Sequence, residues 1–366
     1  MLRTISILIL LLASAPVTGD ADARMAGDYE ETRVTKSVPY HHVPGRGFRN
    51  LPGSPRRSAA GGEMSKVARE LLASKAVVVP ENHVMPRHQA LKGMETASNP
   101  SVTWLGHAAF IVRIAGKSIL TDPFIGKTAG PVGIGPKRFV ASPLAADELP
   151  RADVMVVSHD HYDHLDAHAI DKYRFKDSTQ VIVPLGLGPF FLKRGYTRVL
   201  EQDWWQSWEQ DGLSVTTLPA VHFSGRRLFD RNKTLWASFA FESADERIWF
   251  SGDTATGEVF KEIGQRHGPF DLALVAIGAY EPRSMMRSIH ASPEEAIEIA
   301  RTIGARQAIG MHWGTIRLTP EQAFEPPVRF RQAAMDQGYG ADNAIILKIG
   351  ETFELSHHER AGAQAL

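Results

Sequence analysis

The chain has 366 residues, of which 43% are hydrophobic and 22% charged, a composition typical of a globular protein with a substantial core. Its 41 basic and 41 acidic side chains cancel, which argues against a nucleic-acid partner because no net positive field is present. The sequence contains no cysteine, which excludes disulfides, thiolate nucleophiles and cysteine-ligated metal centres. Histidine, with 15 copies, is therefore the residue type available for soft-metal chemistry.

The first 23 residues have the organisation of a secretory signal peptide. Arg3 is followed by an apolar run at residues 5–13, and small residues precede candidate cleavage points after Gly19 and Ala23. An uncleaved membrane anchor is the alternative interpretation, although the apolar run is shorter than the roughly 20 residues that a spanning helix needs. We therefore expect an exported protein, periplasmic or secreted, with membrane association left open.

Residues 24–98 are predicted to be an irregular N-terminal extension, because breaker residues are frequent and only residues 66–74 have a helical pattern. Residues 99–355 alternate short apolar runs with helical patterns, and residues 356–366 are predicted to be a flexible tail. Ser292 and Thr319 each precede a proline and an acid or amide, the pattern of a helix start. Buried strands are predicted at residues 154–157, 181–183 and 272–275, and strands with one solvent-exposed face at residues 213–218 and 236–241, where the pattern alternates more. This order favours an α/β sandwich with helices outside two central sheets.

Three histidines and an aspartate follow the apolar run at residues 154–157. In an extended segment His159 and His161 point the same way, while Asp163 and His164 lie one turn further on. Imidazole and carboxylate are suitable zinc ligands, and one loop of this kind reaches two neighbouring ions without completing either coordination shell. The alternative is a solvated histidine-rich loop.

The missing ligands are predicted at the ends of later apolar runs. His222, Asp253 and His312 each come just past such a run, where the edge of a sheet opens onto a site. Each residue alone is typical of an ordinary loop or core position. The three together, in this order after the histidine loop, predict a dinuclear metal centre.

The histidine loop at residues 159–164, followed in sequence by His222, Asp253 and His312, resembles the ligand pattern of the metallo-β-lactamase superfamily, whose fold is an αββα sandwich. Seven motifs narrow this resemblance further: TWLGH at 103–107, LTDP at 120–123, GPKRF at 135–139, HYDHLD at 161–166, SGDT at 251–254, GAYEPR at 278–283 and GMHWGT at 310–315. With them, the chain is similar to the N-acylphosphatidylethanolamine-hydrolysing phospholipase D branch over residues 102–350.

The resemblance implies two zinc ions per chain and assigns their ligands. His159, His161 and His222 would bind one zinc. Asp163, His164 and His312 would bind the other, and Asp253 would bridge the two ions. The implied catalytic residues are Asp122, Asp163 and His290, with Asp122 either orienting or deprotonating the nucleophile or supporting a metal ligand. His290 either assists a phosphoryl oxygen or leaving group or is a structural histidine at a helix start, and His107 is expected to pack or to support a ligand.

The implied activity is a phospholipase D-type phosphodiesterase, in which a metal-bridging hydroxide attacks the phosphorus of an N-acylated or ordinary glycerophospholipid. A lactone or β-lactam hydrolase with the same two zinc ions remains the alternative, since the fold hosts both. Phe223, Ala237 and Ile289 depart from the branch pattern and leave the substrate open. A non-catalytic metal-binding module, a redox di-iron enzyme and a nucleic-acid phosphodiesterase are disfavoured.

Partner contacts are expected with a phospholipid and, at the periphery, with a membrane; a homodimer is a further expectation, and nucleic acid is not expected. The aromatic cluster Trp204, Trp205 and Trp208 is predicted either to meet the membrane interface or to pack in the core. The pairs His41–His42 and His357–His358 are predicted to be solvated, because they lie outside the sandwich.

Overall fold

The structure is a computed structural model that describes residues 38–56, 63–73 and 76–355. The predicted signal peptide, residues 24–37, and the predicted tail with its two histidines lie outside the described residues. Two seven-stranded sheets pack face to face, and helices cover their outer faces. This confirms the predicted αββα sandwich.

The described part of the N-terminal extension contains more regular structure than its sequence predicted. Strands β1 (His42–Val43) and β2 (Gly47–Phe48) form a small hairpin, and two helices follow, α1 (Glu63–Ala73) and α2 (Arg87–Thr96). The helical pattern at residues 66–74 falls largely within α1. Helix α2 was not predicted because only Ala90 and Met94 are buried in it, which leaves little apolar periodicity to detect.

The first sheet has the strand order β16-β3-β4-β5-β6-β7-β8. Its antiparallel part continues from β5 into parallel pairs with β6, β7 and β8. The strands are β3 (Ser101–Gly106), β4 (Ala109–Ile114), β5 (Lys117–Thr121), β6 (Val154–Val156), β7 (Gln180–Pro184), β8 (Val199–Gln202) and β16 (Thr352–Glu354).

The second sheet has the order β15-β14-β13-β12-β11-β10-β9 and the same mixture of pairings. Strands β9 to β12 pair antiparallel, and β12 to β15 pair parallel. The strands are β9 (Gln206–Gln210), β10 (Leu213–Leu218), β11 (Ser238–Glu242), β12 (Arg247–Phe250), β13 (Leu272–Ala276), β14 (Gln307–Met311) and β15 (Ala344–Ile345).

Six further α-helices in the described part of the chain connect or cover the strands. Helices α3 and α4 pack on the outer face of the first sheet, and α5, α7 and α8 pack on the second sheet. Their bounds are α3 (Ala167–Lys172), α4 (Gly188–Leu192), α5 (Val259–His267), α6 (Arg283–Met286), α7 (Pro293–Thr302) and α8 (Pro326–Asp336).

Strand β4 illustrates why the sequences of the central strands are continuous apolar runs. Phe110, Val112 and Ile114 point into the core between the sheets, and Ala109 and Ile111 point into the core beneath the outer helices. Because successive side chains alternate between the two faces of a strand, a strand with cores on both sides must be apolar at nearly every position.

Of the two predicted helix starts, one is confirmed and one is wrong. Ser292 caps α7, and its hydroxyl and the Glu295 carboxylate form a reciprocal capping box. No helix begins at Pro320, and the next helix, α8, starts only at Pro326. The Glu321 carboxylate is engaged elsewhere, because it accepts hydrogen bonds from the Ala279 amide and the Thr319 hydroxyl, both at 2.7 Å. Tertiary contacts therefore override the local capping pattern.

The three tryptophans of the cluster differ in burial, since Trp204 is buried and Trp205 and Trp208 are only partly buried. Trp204 is buried, and its indole nitrogen donates a 2.7 Å hydrogen bond to the Trp236 carbonyl, so the membrane-edge hypothesis is wrong for this residue. Trp205 and Trp208 are half-buried and pack against the same core. None of the helices within the described residues has the length and apolar character that crossing a membrane requires.

Candidate metal centre

Seven histidine and aspartate side chains meet at one edge of the sandwich, where strands of both sheets end. One group follows β6 in the first sheet, and the rest follow β10, β12 and β14 in the second sheet. Carboxyl ends of parallel strands are the usual place for a site in such sheets. The residues are His159, His161, Asp163, His164, His222, Asp253 and His312, the full set named in the sequence analysis.

The first ligand group combines three imidazoles with one carboxylate. The ligand atoms of His159, His161, His222 and Asp253 all lie within 4.8 Å of one another. Nδ1 of His161 is 2.7 Å from Nε2 of His159 and 3.3 Å from Nε2 of His222. Three imidazole nitrogens that face one point form the donor set that zinc prefers.

The second ligand group lies beside the first and shares Asp253 with it. Asp253 Oδ2 is 3.0 Å from Nε2 of His164, and Oδ1 is 3.2 Å from Nε2 of His312. Asp163 Oδ2 is 3.7 Å and 3.5 Å from the same two nitrogens. The Asp253 carboxylate therefore stands between the two groups.

Several buried polar atoms in this centre have no hydrogen-bond partner, namely Nε2 of His164, Nε2 of His312 and Oδ1 of Asp253. An unpaired buried polar atom costs free energy unless another partner satisfies it. All three atoms point into the shared space between the ligand groups. The residues present therefore fit bound metal ions.

The far side of three ligand imidazoles, those of His159, His164 and His222, is held by a hydrogen bond, whereas Nδ1 of His312 has no partner. Nδ1 of His222 donates to the Ile289 carbonyl at 2.7 Å, and Nδ1 of His164 lies 2.6 Å from Asp122 Oδ2. The hydroxyl of Ser158 lies 2.9 Å from Nδ1 of His159. Such contacts fix the tautomer and leave Nε2 free to face a metal.

Asp122 is completely buried directly after β5, and its carboxylate contacts Ser158 and His164. Its Oδ1 accepts a hydrogen bond from the Ser158 amide, and its Oδ2 accepts one from the Ser158 hydroxyl and faces His164. Asp122 therefore touches a ligand rather than the space where a substrate would react. His107 behaves similarly, since its Nε2 is 2.9 Å from Asp163 Oδ2.

The charges of the second group favour a cation. Burial acts to lower the pKa of His312, but the Asp253 and Asp163 carboxylates outweigh it and raise that pKa to about 9. The pKa of His164 is raised in the same way. Conversely, burial lowers the pKa of His159 and His161 well below the ordinary value, which keeps both imidazoles neutral. Neutral imidazole is the form that binds metal.

His290 adjoins the centre without completing either ligand group. Its Nε2 lies 3.9 Å from Asp253 Oδ2, and its ring lies 5.1 Å and 5.4 Å from the rings of His222 and His312. It is buried two residues before Ser292, the cap of α7, and its Nδ1 has no hydrogen-bond partner. Burial lowers its pKa well below the ordinary value, so the ring is neutral.

Asn50 is a site residue that the sequence analysis did not name. Its side-chain amide donates to the His222 carbonyl at 2.9 Å and accepts from the His222 amide at 3.1 Å. It also accepts from the Trp236 indole at 3.1 Å. The available signal is the GFRN sequence at residues 47–50, which resembles the phospholipase D branch only loosely and was too weak to single out Asn50.

The prediction that His41 and His42 are solvated is wrong. His41 is only 6% exposed, and both imidazoles hydrogen-bond to the carboxylate of Asp203, which lies more than 160 residues further along the chain. The hairpin of β1 and β2 brings the two histidines against the loop before β9, a contact that local sequence does not encode.

Comparison with known proteins agrees with this geometry. Residues 117–313 match the Beta-lactamase superfamily domain. An uncharacterized protein of Mycobacterium tuberculosis is 41% identical over 244 residues, which is 65% of each chain, so the chain spans about two thirds of this relative. The N-acyl-phosphatidylethanolamine-hydrolyzing phospholipase D 1 of Caenorhabditis elegans is 39% identical over 268 residues, covering 69% of the chain and 75% of that protein.

Among solved structures, a possible metal-dependent hydrolase from Veillonella parvula superposes with a TM-score of 0.57. The superposition covers 70% of this chain and all of the other, at 20% sequence identity. At this identity the likeness concerns the fold alone.

Proposed function

The chain belongs to the beta-lactamase superfamily of metal-dependent hydrolases, and on this premise we propose that it is a zinc-dependent phosphodiesterase of the phospholipase D type. Its substrate would be an N-acylated or ordinary glycerophospholipid. The single observation that carries the proposal is the seven-residue centre, in a chain 39% identical to a protein named for that reaction.

Two zinc ions per chain are the proposed cofactors. His159, His161 and His222 would hold one ion, Asp163, His164 and His312 the other, and Asp253 both. When bound, zinc would supply a Lewis acid for a phosphoryl oxygen and an acidified water as nucleophile.

The protein's own groups would then orient the diester. His290 is neutral, and its unpaired Nδ1 has a hydrogen-bonding capacity that the described residues do not use. We assign it to hydrogen bonding with a phosphoryl or leaving oxygen, because it stands beside Asp253 at the rim of both ligand groups. Asp122 would act as a positioning residue, since it reaches the centre only through His164 and Ser158.

Lipid access is proposed along the loop between β10 and β11. Phe223 follows His222 in this loop, and its ring centre lies 4.4 Å from that of His161, so the loop passes beside the candidate metal centre. Further along, Leu228 and Phe229 are 64% and 92% exposed, and Arg227 precedes them. Exposed apolar residues beside basic ones suit the surface of an anionic membrane. We propose peripheral membrane contact there, by an exported protein.

The test is mass spectrometry of products after the zinc-loaded protein meets vesicles that contain N-acylphosphatidylethanolamine and phosphatidylethanolamine. We expect N-acylethanolamine or ethanolamine together with phosphatidic acid. His161→Ala should abolish product, whereas His168→Gln, an exposed histidine on α3, should leave it unchanged.

Absence of turnover with two zinc ions bound would refute the lipid assignment while leaving the centre intact. Faster hydrolysis of a lactone or of a β-lactam than of any phosphodiester would favour the alternative hydrolase. The products therefore separate the two candidate functions on one metal site.

A further inference from the structure

A second cluster of side chains that could hold a metal ion lies where the N-terminal hairpin meets the loop before β9, apart from the centre described above. It consists of His41, His42 and Asp203, whose ligand atoms lie within 4.8 Å of one another. None of the three belongs to the dinuclear centre. The cluster joins the hairpin of β1 and β2 to the loop that precedes β9.

Both histidines present the same ring nitrogen to one carboxylate. Nε2 of His41 is 2.6 Å from Asp203 Oδ1, and Nε2 of His42 is 2.7 Å from Asp203 Oδ2. Burial acts to raise the pKa of Asp203, but the two imidazole contacts outweigh it and lower that pKa. The carboxylate is therefore charged at neutral pH and faces two nitrogen donors.

Aromatic rings hold the two imidazoles in place. The His41 ring stacks on Trp204 with ring centres 4.3 Å apart, and the His42 ring meets Phe48 edge-on at 5.1 Å. The His41 side chain is 7% exposed, whereas that of His42 is 29% exposed. The cluster is thus pre-organised on one side and open to water on the other, which leaves room for a solvent ligand.

We propose that His41, His42 and Asp203 bind a third divalent ion of the zinc type. Two imidazole nitrogens and a carboxylate form a three-ligand set that zinc accepts with water in the fourth position. The competing arrangement is a metal-free clamp, in which both Nε2–H groups donate to Asp203. The two differ in one measurable quantity, the number of ions bound per chain.

A metal at this position would connect to the dinuclear centre through Asn50. Residues 41 to 50 run from the cluster to the Asn50 side chain, which bonds both backbone groups of His222. The Arg49 amide also donates to the His41 carbonyl at 2.9 Å, which ties the two ends of this segment together. The third ion would therefore fasten the segment that supports a ligand of the first group.

The test is calorimetric titration of zinc into the metal-free full-length protein, with metal content measured after gel filtration. We expect the wild type to bind one equivalent more than the double variant His41→Gln, His42→Gln. Glutamine retains a donor for Asp203 but removes the imidazole ligand, so the hydrogen-bonded clamp is preserved. The matched control is His88→Gln with His168→Gln, both exposed, and it should keep the third equivalent.

Equal stoichiometry in the wild type and the His41, His42 variant would overturn the proposal. Should that variant fail to fold, as judged by circular dichroism, Asp203→Asn decides, because the amide retains hydrogen-bonding groups without the charge. The affinity of the third equivalent should fall at least tenfold in Asp203→Asn, and an unchanged affinity would exclude the site. Since the readout is zinc binding, the outcome is independent of the proposed lipid substrate.

Discussion

Replacing Asp122 by asparagine separates its two possible roles, positioning a ligand or accepting a proton from the nucleophile. Both carboxylate oxygens are occupied, by the amide and hydroxyl of Ser158 and by Nδ1 of His164. An asparagine has one acceptor oxygen only. If the asparagine NH2 replaces Oδ1, it faces the Ser158 amide, which is also a donor. If the NH2 replaces Oδ2, it faces Nδ1 of His164, which also donates.

The less costly outcome of Asp122→Asn is a change of tautomer in His164. With the amide nitrogen facing it, Nδ1 becomes an acceptor and the ring proton moves to Nε2, the atom that would bind the metal. Loss of such a supporting contact typically lowers metal affinity 10- to 100-fold, or about 1.4–2.8 kcal/mol. We therefore expect zinc affinity of the second ligand group to fall by this factor.

The assay combines zinc titration against a competing chelator with kcat/KM at limiting and at saturating zinc. If Asp122 only positions His164, activity at saturating zinc should recover to within about tenfold of the wild type. Wild-type zinc affinity together with a kcat reduced 10²- to 10⁴-fold, roughly the effect of losing a general base, would refute the positioning role.

Asp166→Asn is the matched control. Asp166 is also buried, and it also accepts three hydrogen bonds, from the amides of Ile125, Gly126 and His168. None of these partners is a metal ligand. The Asp166 variant should lose stability but keep its zinc affinity, which distinguishes loss of a buried carboxylate from loss of the His164 contact.

Three other predictions concern the surroundings of the site and the outer helices. Asn50→Ala removes both backbone hydrogen bonds to His222, so chemical denaturation should show a loss of about 1–3 kcal/mol, and unchanged stability would contradict the contact. Phe229→Ser should reduce binding to anionic vesicles several-fold, measured by co-sedimentation, while leaving zinc content unchanged; equal binding would place the membrane elsewhere. Glu294 forms a bidentate ion pair with Arg329 that lowers the pKa of the carboxylate despite burial, so Glu294→Gln should cost about 0.5–1 kcal/mol at pH 7. Because a lowered pKa stabilises the fold above the unfolded value of 4.5, that difference should shrink as the pH falls below 4.5 towards the lower folded value, and a difference that does not decrease on acidification would contradict it.

The fold and the clustering of the candidate ligands were predictable because each depends on local sequence. Apolar runs mark the central strands, and the side chains of Asp253 and His312 come within a few residues of a strand end. Strand ends on one edge of a sandwich must converge, so the order of residues along the chain already implied their proximity in space.

What could not be predicted depends on contacts between distant segments. The pairing of His41 and His42 with Asp203 spans more than 160 residues and gives no periodic signal. The side chain of Glu321, which local pattern assigns to a helix start, is instead captured by the Ala279 amide. In both cases the hydrogen-bond partner, Asp203 or Ala279, comes close only when the sheets fold. The residues next to it in sequence give no signal of the contact.

The division of the ligands between the two sheets has a thermodynamic consequence. His159 and His164 follow a strand of the first sheet, whereas His222 and His312 follow strands of the second. Separating the two sheets would therefore separate the candidate ligands. Metal binding and docking of the layers are then linked equilibria, and each tenfold rise in free metal above the dissociation constant adds about 1.4 kcal/mol per ion to the unfolding free energy. The melting temperature of a metal-binding chain of this kind would therefore rise with the concentration of free metal.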